Sequence, residues 1–151
     1  MDSTSLKQRL ESMIPDAQFP ENPQYTEMVV PAVKLTAICS ELKSLPDLHF
    51  DYLISMTAVD WNDHFMMVYH LTSTVHRHTL VLKARVDGRE DPQIDTVCEI
   101  WRTAEFHERE VFDLFGIRFR NHPDPRRLFL DDDYGYPLRK DFADESRMIV
   151  R

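Results

Sequence analysis

The stretch EFHEREVFDLFGIRFRNHPDPRRLFLDDDYGYPLRKDF, residues 105–142, is the most informative part of this chain. Its first part places apolar side chains at helical spacing and predicts a helix over 104–115. Gly116 follows at the position where a left-handed residue commonly ends a helix. Beyond it, acids, arginines, aromatics and three prolines alternate in an order that core formation does not require. This order predicts an irregular, proline-stiffened extension.

The distribution of charge also separates this region from the rest of the chain. Residues 1–101 carry 8 basic and 15 acidic side chains, whereas residues 102–151 carry 10 and 11. Many charges at almost zero net charge suit fixed ion pairs and polar contacts with another protein. The whole chain has a net charge of -8, which argues against a nucleic-acid surface because such surfaces are basic.

Upstream, helical and strand patterns come in groups and do not alternate strictly, which favours an α+β fold. We expect a single two-layer domain over 1–142, with a mixed, mostly antiparallel sheet packed on helices and the irregular arginine-rich extension at its C-terminal end. Residues 143–151 are expected to form a short tail. Residues 50–59 are apolar on both alternating faces and predict a central strand covered on each side. The other predicted elements are helices at 5–13, 34–45 and 94–100, a strand at 25–30, and an antiparallel hairpin from 65–71 and 79–86.

The composition excludes several cofactor sites. Three glycines, with no GxGxxG motif and no P-loop, leave no nucleotide or flavin site of those kinds. Cys39 and Cys98 cannot supply the four thiolates of an iron–sulfur cluster. They are expected to be reduced, partly buried thiols, and nothing in the sequence supports the alternative of a disulfide. No apolar run approaches the ~18 residues of a membrane span.

The arginine-rich loop has two interpretations. Its charges can simply be solvated, or Arg126, Arg127 and Arg139 can hold carboxylates bidentately, within this chain or across an interface. The second hypothesis predicts that replacing Arg126 and Arg127 by alanine impairs assembly and shifts the melting temperature by no more than a few degrees. On the preceding helix, four-residue spacing predicts ion pairs from Glu105 to Arg109 and from Arg109 to Asp113.

Other candidate sites are weaker. A zinc site built from His70, His76 and His78 lacks a placed fourth ligand, and His122 is a better helix cap or interface donor than a catalytic base. Glu108 and Glu110 are two apart on a helix and diverge, so they are not an acid–base pair. Residues 131–133 are predicted to form a solvated turn. We predict that Phe106, Phe112 and Phe115 are core residues and that Trp61 and Trp101 are core or interface anchors.

Three blocks of the sequence, HEREVFDLFGIRF, HPDPRRLFL and GYPLRKDF, closely resemble the signature of the C-type, thirty-kilodalton subunit family of respiratory complex I (NADH:quinone oxidoreductase). The resemblance extends upstream to AVDW and VYHLTS and covers residues 50–142. Pro125 replaces a usual leucine, and Tyr136 replaces a usual histidine. The residues that carry the signature, and that the resemblance implies at subunit interfaces, are Glu108, Arg109, Glu110, Asp113, His122, Asp124, Arg126, Arg127, Arg139, Lys140 and Asp141.

The resemblance implies a non-catalytic subunit of the hydrophilic arm of a proton-translocating complex, beside the large subunit that helps to form the quinone site. It implies no catalytic residue, metal or cofactor in this chain, although the complex as a whole uses FMN, iron–sulfur clusters, NADH and a quinone. It implies a peripheral position at the cytoplasmic face of the inner membrane. The alternatives are the equivalent subunit of a membrane-bound hydrogenase-type complex and, from a different class, a small metal-dependent hydrolase that uses the histidines and Asp124.

Overall fold

The computed structural model describes residues 2–130 and 134–141. Within them the chain forms an α+β domain with three helices and a mixed four-stranded sheet. The elements in chain order are α1 (Ser3–Met13), β1 (Thr26–Val30), α2 (Leu35–Ser44), β2 (Tyr52–Asp60), β3 (His64–Thr72), β4 (Thr79–Asp87), β5 (Gln93–Asp95), α3 (Ala104–Phe115) and β6 (Arg118–Arg120). The predicted tail 143–151 lies outside the described residues.

The sheet has the strand order β1-β4-β3-β2. The predicted hairpin is confirmed: β3 and β4 pair antiparallel, with Leu71 opposite Leu80 and Phe65 opposite Val86. β2 pairs antiparallel with β3, and β1 pairs parallel with β4. The sheet is therefore mixed and mostly antiparallel, as the grouped patterns predict.

One face of this sheet forms the core. Alternate residues of the strands, such as Met67 and Tyr69 in β3 and Leu80 and Leu82 in β4, are fully buried. They share one hydrophobic cluster with side chains of α1, α2 and α3. Because successive side chains of a strand point to opposite faces, these alternate apolar residues lie on the same face of the sheet. The helices supply the second layer.

The position predicted for the strand at 50–59 is wrong. β2 lies at one edge of the four-stranded sheet, and its side chains alternate between buried and exposed. Tyr52, Ile54 and Val59 are exposed on its outer face. Apolar residues on both faces of a strand normally indicate burial on both sides, but here one apolar face is left in solvent.

The helix predicted at 94–100 is also wrong. Residues Gln93–Asp95 form a strand that pairs parallel with β6, in a second, two-stranded sheet. A tight turn follows, in which the backbone N–H groups of Ile100 and Trp101 both donate to the carbonyl oxygen of Val97. The sequence does not predict β6, because three residues are too few to show a period.

The helix predicted at 104–115 is confirmed at both ends. α3 spans Ala104–Phe115, and Gly116 follows in the left-handed conformation with φ of 77°. Phe115 is buried and packs edge-on against Phe65 at a centroid distance of 6.3 Å. Phe106 is exposed, so its prediction as a core residue is wrong.

Trp101 is buried and Trp61 is exposed. Cys39 and Cys98 are buried, free thiols.

Candidate functional site

The arginine-rich loop packs along α3, and a buried ion pair fixes it there. Arg127 Nε donates to Asp113 Oδ1 at 2.6 Å, and the two side chains are only 5% and 1% exposed. The same guanidinium donates to the backbone carbonyl oxygens of Asp113, Tyr134 and Gly135 at 2.6–3.0 Å. Arg127 therefore joins α3 both to its own segment of the loop and to the segment that contains Tyr134 and Gly135.

Asp113 is the matching acceptor on the helix. Besides the Arg127 bond, its Oδ2 accepts the backbone N–H groups of Phe129 and Leu130 at 2.9 and 3.2 Å. Burial alone would raise the pKa of this carboxyl, but the bonds from Arg127 and from the two amides outweigh it, so the pKa lies below its ordinary value. Asp113 is therefore held as a carboxylate, and it orders the backbone of the loop.

A second set of contacts fixes the beginning of the loop. Arg109 donates to the carbonyl oxygens of Arg126 and Arg127 at 3.2 and 3.1 Å and lies 3.6 Å from Asp124. His122 Nε2 is 3.0 Å from the carbonyl oxygen of Glu105. Arg126, in contrast, is exposed and makes a bidentate pair with Asp124 at 2.7 and 2.9 Å.

The last described residues are anchored to the sheet. Arg89 binds Asp60 bidentately at 2.5 and 2.9 Å, and this bond holds the pKa of Asp60 well below its usual range. Asp60 also accepts the backbone N–H of Lys140 at 2.9 Å, and Arg89 lies 3.2 Å from Asp141. Arg139 donates to the carbonyl oxygens of Phe115 and Arg89 at 2.5 and 2.8 Å. Arg139 therefore binds carbonyl groups here, and the described residues give it no carboxylate partner.

Tyr136, one of the two departures from the family pattern, packs among these arginines. Its ring centroid is 4.8 Å from the guanidinium carbon of Arg127 and 5.2 Å from that of Arg139, and it tilts against Phe112 at 6.0 Å. Aromatic rings attract guanidinium groups through the negative face of the ring. Tyrosine at this position therefore supports the loop by stacking.

Gly116 allows this close packing. A Cβ atom at residue 116 would lie 2.7 Å from Cδ2 and Cε2 of Tyr136, and the backbone φ is +77°. We expect Gly116→Ala to lower the free energy of unfolding by about 1–3 kcal/mol, because backbone strain and the clash with Tyr136 act together. Chemical denaturation of the purified chain measures this change.

Gly88→Ala is the matched control. Gly88 also has a positive φ, of +89°, but a Cβ there meets nothing within 4 Å. It should therefore show the backbone strain alone and a smaller loss than Gly116→Ala. Equal losses at the two positions would contradict the proposed packing of Tyr136 against Gly116.

Glu108 of α3 faces the interior of the domain. Its side chain is fully buried and accepts hydrogen bonds from the hydroxyl of Thr96 and, at 2.9 Å, from the backbone N–H of Val97. His122 Nε2 is 3.7 Å from Oε1. Burial raises the pKa of Glu108 to about 7, although the two hydrogen bonds act in the opposite direction. Glu110 is exposed, so the predicted divergence of the two glutamates is confirmed.

A cavity of about 230 Å³ opens between α3, β6 and the first part of the loop. Glu108 and His122 contribute to its wall, and Arg118 and Arg120 are paired with Asp91 and Asp95 at 3.2 and 2.9 Å. The lining therefore combines two carboxyl groups, those of Glu108 and Asp124, and an imidazole with arginines that are already paired. The complete lining is Gln93, Glu108, Arg109, Phe112, Arg118, Phe119, Arg120, His122, Asp124 and Pro125.

The zinc site considered above as a weaker candidate does not form among the described residues. The rings of His76 and His78 stack at 5.5 Å, but their Nε2 atoms lie 2.6 and 2.7 Å from the carbonyl oxygens of Pro46 and Leu48. His70 instead packs edge-on against Tyr25. In residues 2–130 and 134–141, no group of three or more His, Cys, Asp or Glu side chains is placed to hold a metal ion. The turn predicted at 131–133 lies outside those residues.

The structure brings most of the predicted signature residues together but changes their partners. Arg109 pairs with Asp124, and Asp113 pairs with Arg127, so the helix pairs predicted from four-residue spacing are wrong. Sequence reasoning also missed Arg89 and Thr96 as partners of Asp60 and Glu108. Of these contacts, the sequence contained a signal only for that of Asp60, which lies in the AVDW stretch of the family resemblance.

Known proteins with similar sequences identify the family of this chain. A family model described as "Respiratory-chain NADH dehydrogenase, 30 Kd subunit" matches residues 28–147. The C-type subunit of NADH-quinone oxidoreductase from Moorella thermoacetica is 38% identical over 138 residues, which cover 89% of this chain and 91% of that protein. The C/D-type subunit of NADH-quinone oxidoreductase from Phocaeicola vulgatus is 50% identical over 124 residues, and the match spans 81% of this chain but only 23% of the relative.

A similar fold occurs in a solved respiratory assembly. A chain in the structure of the membrane-bound sulfane sulfur reductase, an archaeal respiratory membrane complex, matches with a TM-score of 0.81 and 27% identity. The match covers 95% of this chain and 86% of that one. This fold is thus also that of a chain in a respiratory membrane complex. The chain belongs to the 30 kDa subunit family of respiratory-chain NADH dehydrogenase, the family of the C-type subunit of complex I.

Among the described residues, no helix has both the length and the apolar character needed to cross a membrane.

Proposed function

We propose that this chain is a non-catalytic subunit of the hydrophilic arm of a proton-translocating NADH:quinone oxidoreductase. It supports the subunits that transfer electrons and form the quinone site, and it uses no metal or cofactor of its own. In this proposal it sits peripherally at the cytoplasmic face of the inner membrane and reaches the membrane through its partners.

The observation that carries this proposal is the occurrence of one fold in complexes with different named reactions. The relatives are subunits of NADH-quinone oxidoreductases, whereas the similar solved chain belongs to a sulfane sulfur reductase complex. A domain that is common to both does not determine the electron donor or acceptor. A supporting role explains this distribution better than a catalytic role does.

The C/D-type relatives support one particular partner. In the Phocaeicola vulgatus protein, a region similar to this chain is part of a much longer polypeptide whose name combines the C and D types. Two functions joined in one polypeptide must lie within reach of each other. We therefore propose that the large, D-type subunit is the principal neighbour of this chain.

Co-purification from native membranes tests this function. The tagged chain, extracted in a mild detergent, is expected to bring down the D-type subunit and the other hydrophilic-arm subunits, which mass spectrometry identifies. The purified chain alone is expected to show no NADH oxidation and no quinone reduction. Recovery of the chain without respiratory subunits, or turnover by the chain alone, would contradict the proposal.

A second candidate is the equivalent subunit of a related membrane-bound complex, of hydrogenase or sulfur-reductase type. The match to the sulfane sulfur reductase chain favours it. The same purification distinguishes the two: a nickel-site large subunit indicates a hydrogenase-type complex, whereas NADH-oxidising subunits indicate complex I.

A further inference from the structure

The loop on α3 presents one aromatic side chain almost entirely to solvent. Phe129 is 81% exposed, although its backbone N–H is bonded to the buried carboxylate of Asp113 at 2.9 Å. Arg127, on the N-terminal side of Phe129, is clamped by four bonds to α3 and to the loop. The backbone that carries Phe129 is thus held in place, while the ring has no place in the core of this domain.

A second exposed apolar residue is attached to the same end of α3. Leu138 is 54% exposed, and its backbone N–H donates to the carbonyl oxygen of Leu114 at 2.9 Å. Leu114 is the neighbour of Asp113 in the last turn of the helix. We call Phe129 and Leu138 the α3-end apolar pair.

The arginines of this region are already occupied within the chain. Arg127 binds Asp113, Arg109 binds Asp124 and two carbonyl groups, and Arg139 binds two carbonyl groups. Recruiting them to another polypeptide would break buried bonds and leave buried charges without partners, which is strongly unfavourable. Burying the exposed ring of Phe129 against a partner carries no such cost, and because its backbone is fixed in advance less entropy is lost on binding. Buried aromatic anchors also dominate the energetics of most interfaces.

We propose that Phe129, with Leu138 at the same end of α3, is the anchor of this subunit on its partner and inserts into an apolar pocket of the D-type polypeptide. This inference rests on the proposed function, and the C/D-type relatives supply the reason for choosing that partner. The clamped arginines position the anchor and do not themselves grip the partner.

Binding between the full chain and the D-type subunit of the same organism, measured on the co-expressed complex, tests the proposal. Phe129→Ala is expected to weaken the association about 10–100-fold, while Phe129→Leu retains most of it because an apolar side chain remains. Phe106→Ala is the matched control, since Phe106 is also exposed, at 60%, but lies in the first turn of α3. It should bind as the unmodified chain does.

The outcomes separate this inference from the proposed function. If the unmodified chain fails to bind the D-type subunit, both the proposed partner and the proposed anchor are wrong. If the unmodified chain binds and Phe129→Ala binds equally well, or Phe106→Ala loses as much, the anchor is overturned while the subunit role stands. A photo-crosslinking residue at position 129 should label the D-type polypeptide, and exclusive labelling of another subunit would also overturn the proposal.

Discussion

Replacing Arg127 by alanine is expected to lower the free energy of unfolding by about 3–5 kcal/mol. The substitution leaves the carboxylate of Asp113 buried without its counter-ion, and removing one partner of a buried pair costs this amount. It also deprives the carbonyl groups of Tyr134 and Gly135 of their donor. For a chain of this length, each kcal/mol corresponds to roughly 2–4 °C, so the melting temperature should fall by about 6–20 °C.

Equilibrium unfolding in urea, with thermal unfolding beside it, measures this loss. Arg126→Ala is the matched control, because the adjacent guanidinium is exposed and pairs with Asp124 at the surface; its unfolding should be unchanged within error. Arg127→Lys should remain destabilised, since one ammonium group cannot reproduce four bonds in a planar fork. An Arg127→Ala variant that unfolds at the same urea concentration as the unmodified chain would refute the buried clamp.

This prediction revises the expectation based on sequence alone. The sequence-based hypothesis treats Arg126 and Arg127 as equivalent interface residues whose loss shifts the melting temperature by a few degrees at most. The structure separates them: Arg127 contributes to the fold, and Arg126 is the residue left at the surface. An assembly defect in Arg127→Ala would therefore follow from the displaced loop.

Replacing Glu108 by glutamine is expected to raise the free energy of unfolding relative to that of the unmodified chain. The gain should be larger at alkaline pH than at acidic pH. Burial raises the pKa of Glu108 from 4.5 to about 7, so the folded state binds a proton more tightly than the unfolded state does. The stability that the neutral carboxyl provides is complete below pH 4.5 and is lost progressively up to about pH 7. Above that, the protein contains a buried carboxylate, at a cost of roughly 3 kcal/mol. Glutamine keeps the shape and is never charged.

The difference in unfolding free energy between Glu108→Gln and the unmodified chain should therefore rise between about pH 4.5 and pH 7. The difference is the informative quantity, because Asp60 and Asp113 have lowered pKa values and lose their stabilising effect as the pH falls. His122 is a titratable group close to Glu108, with its Nε2 atom 3.7 Å from Oε1. His122→Ala, combined with Glu108→Gln, shows whether the imidazole contributes. A difference that stays constant over this pH range would contradict a raised pKa at Glu108.

Local patterns in the sequence were sufficient for the fold class, the β3–β4 hairpin and helix α3 with Gly116 at its end. Each of these depends on contacts between residues near in sequence, and three ordered motif blocks were enough to indicate the family. Periodicity shows which side of a strand is apolar, but it does not show which strand lies beside it. The edge position of β2 and the parallel pairing of β1 with β4 were therefore decided by long-range packing.

The partners of the charged residues were likewise decided only by the tertiary structure. On an isolated helix, Arg109 and Asp113 would attract each other by a few tenths of a kcal/mol. In the folded chain the loop returns along α3 and offers Asp124 to Arg109 and Arg127 to Asp113. The buried Arg127–Asp113 pair and its additional backbone bonds outweigh the weak helix pair. Sequence spacing alone contains no information about that return of the loop.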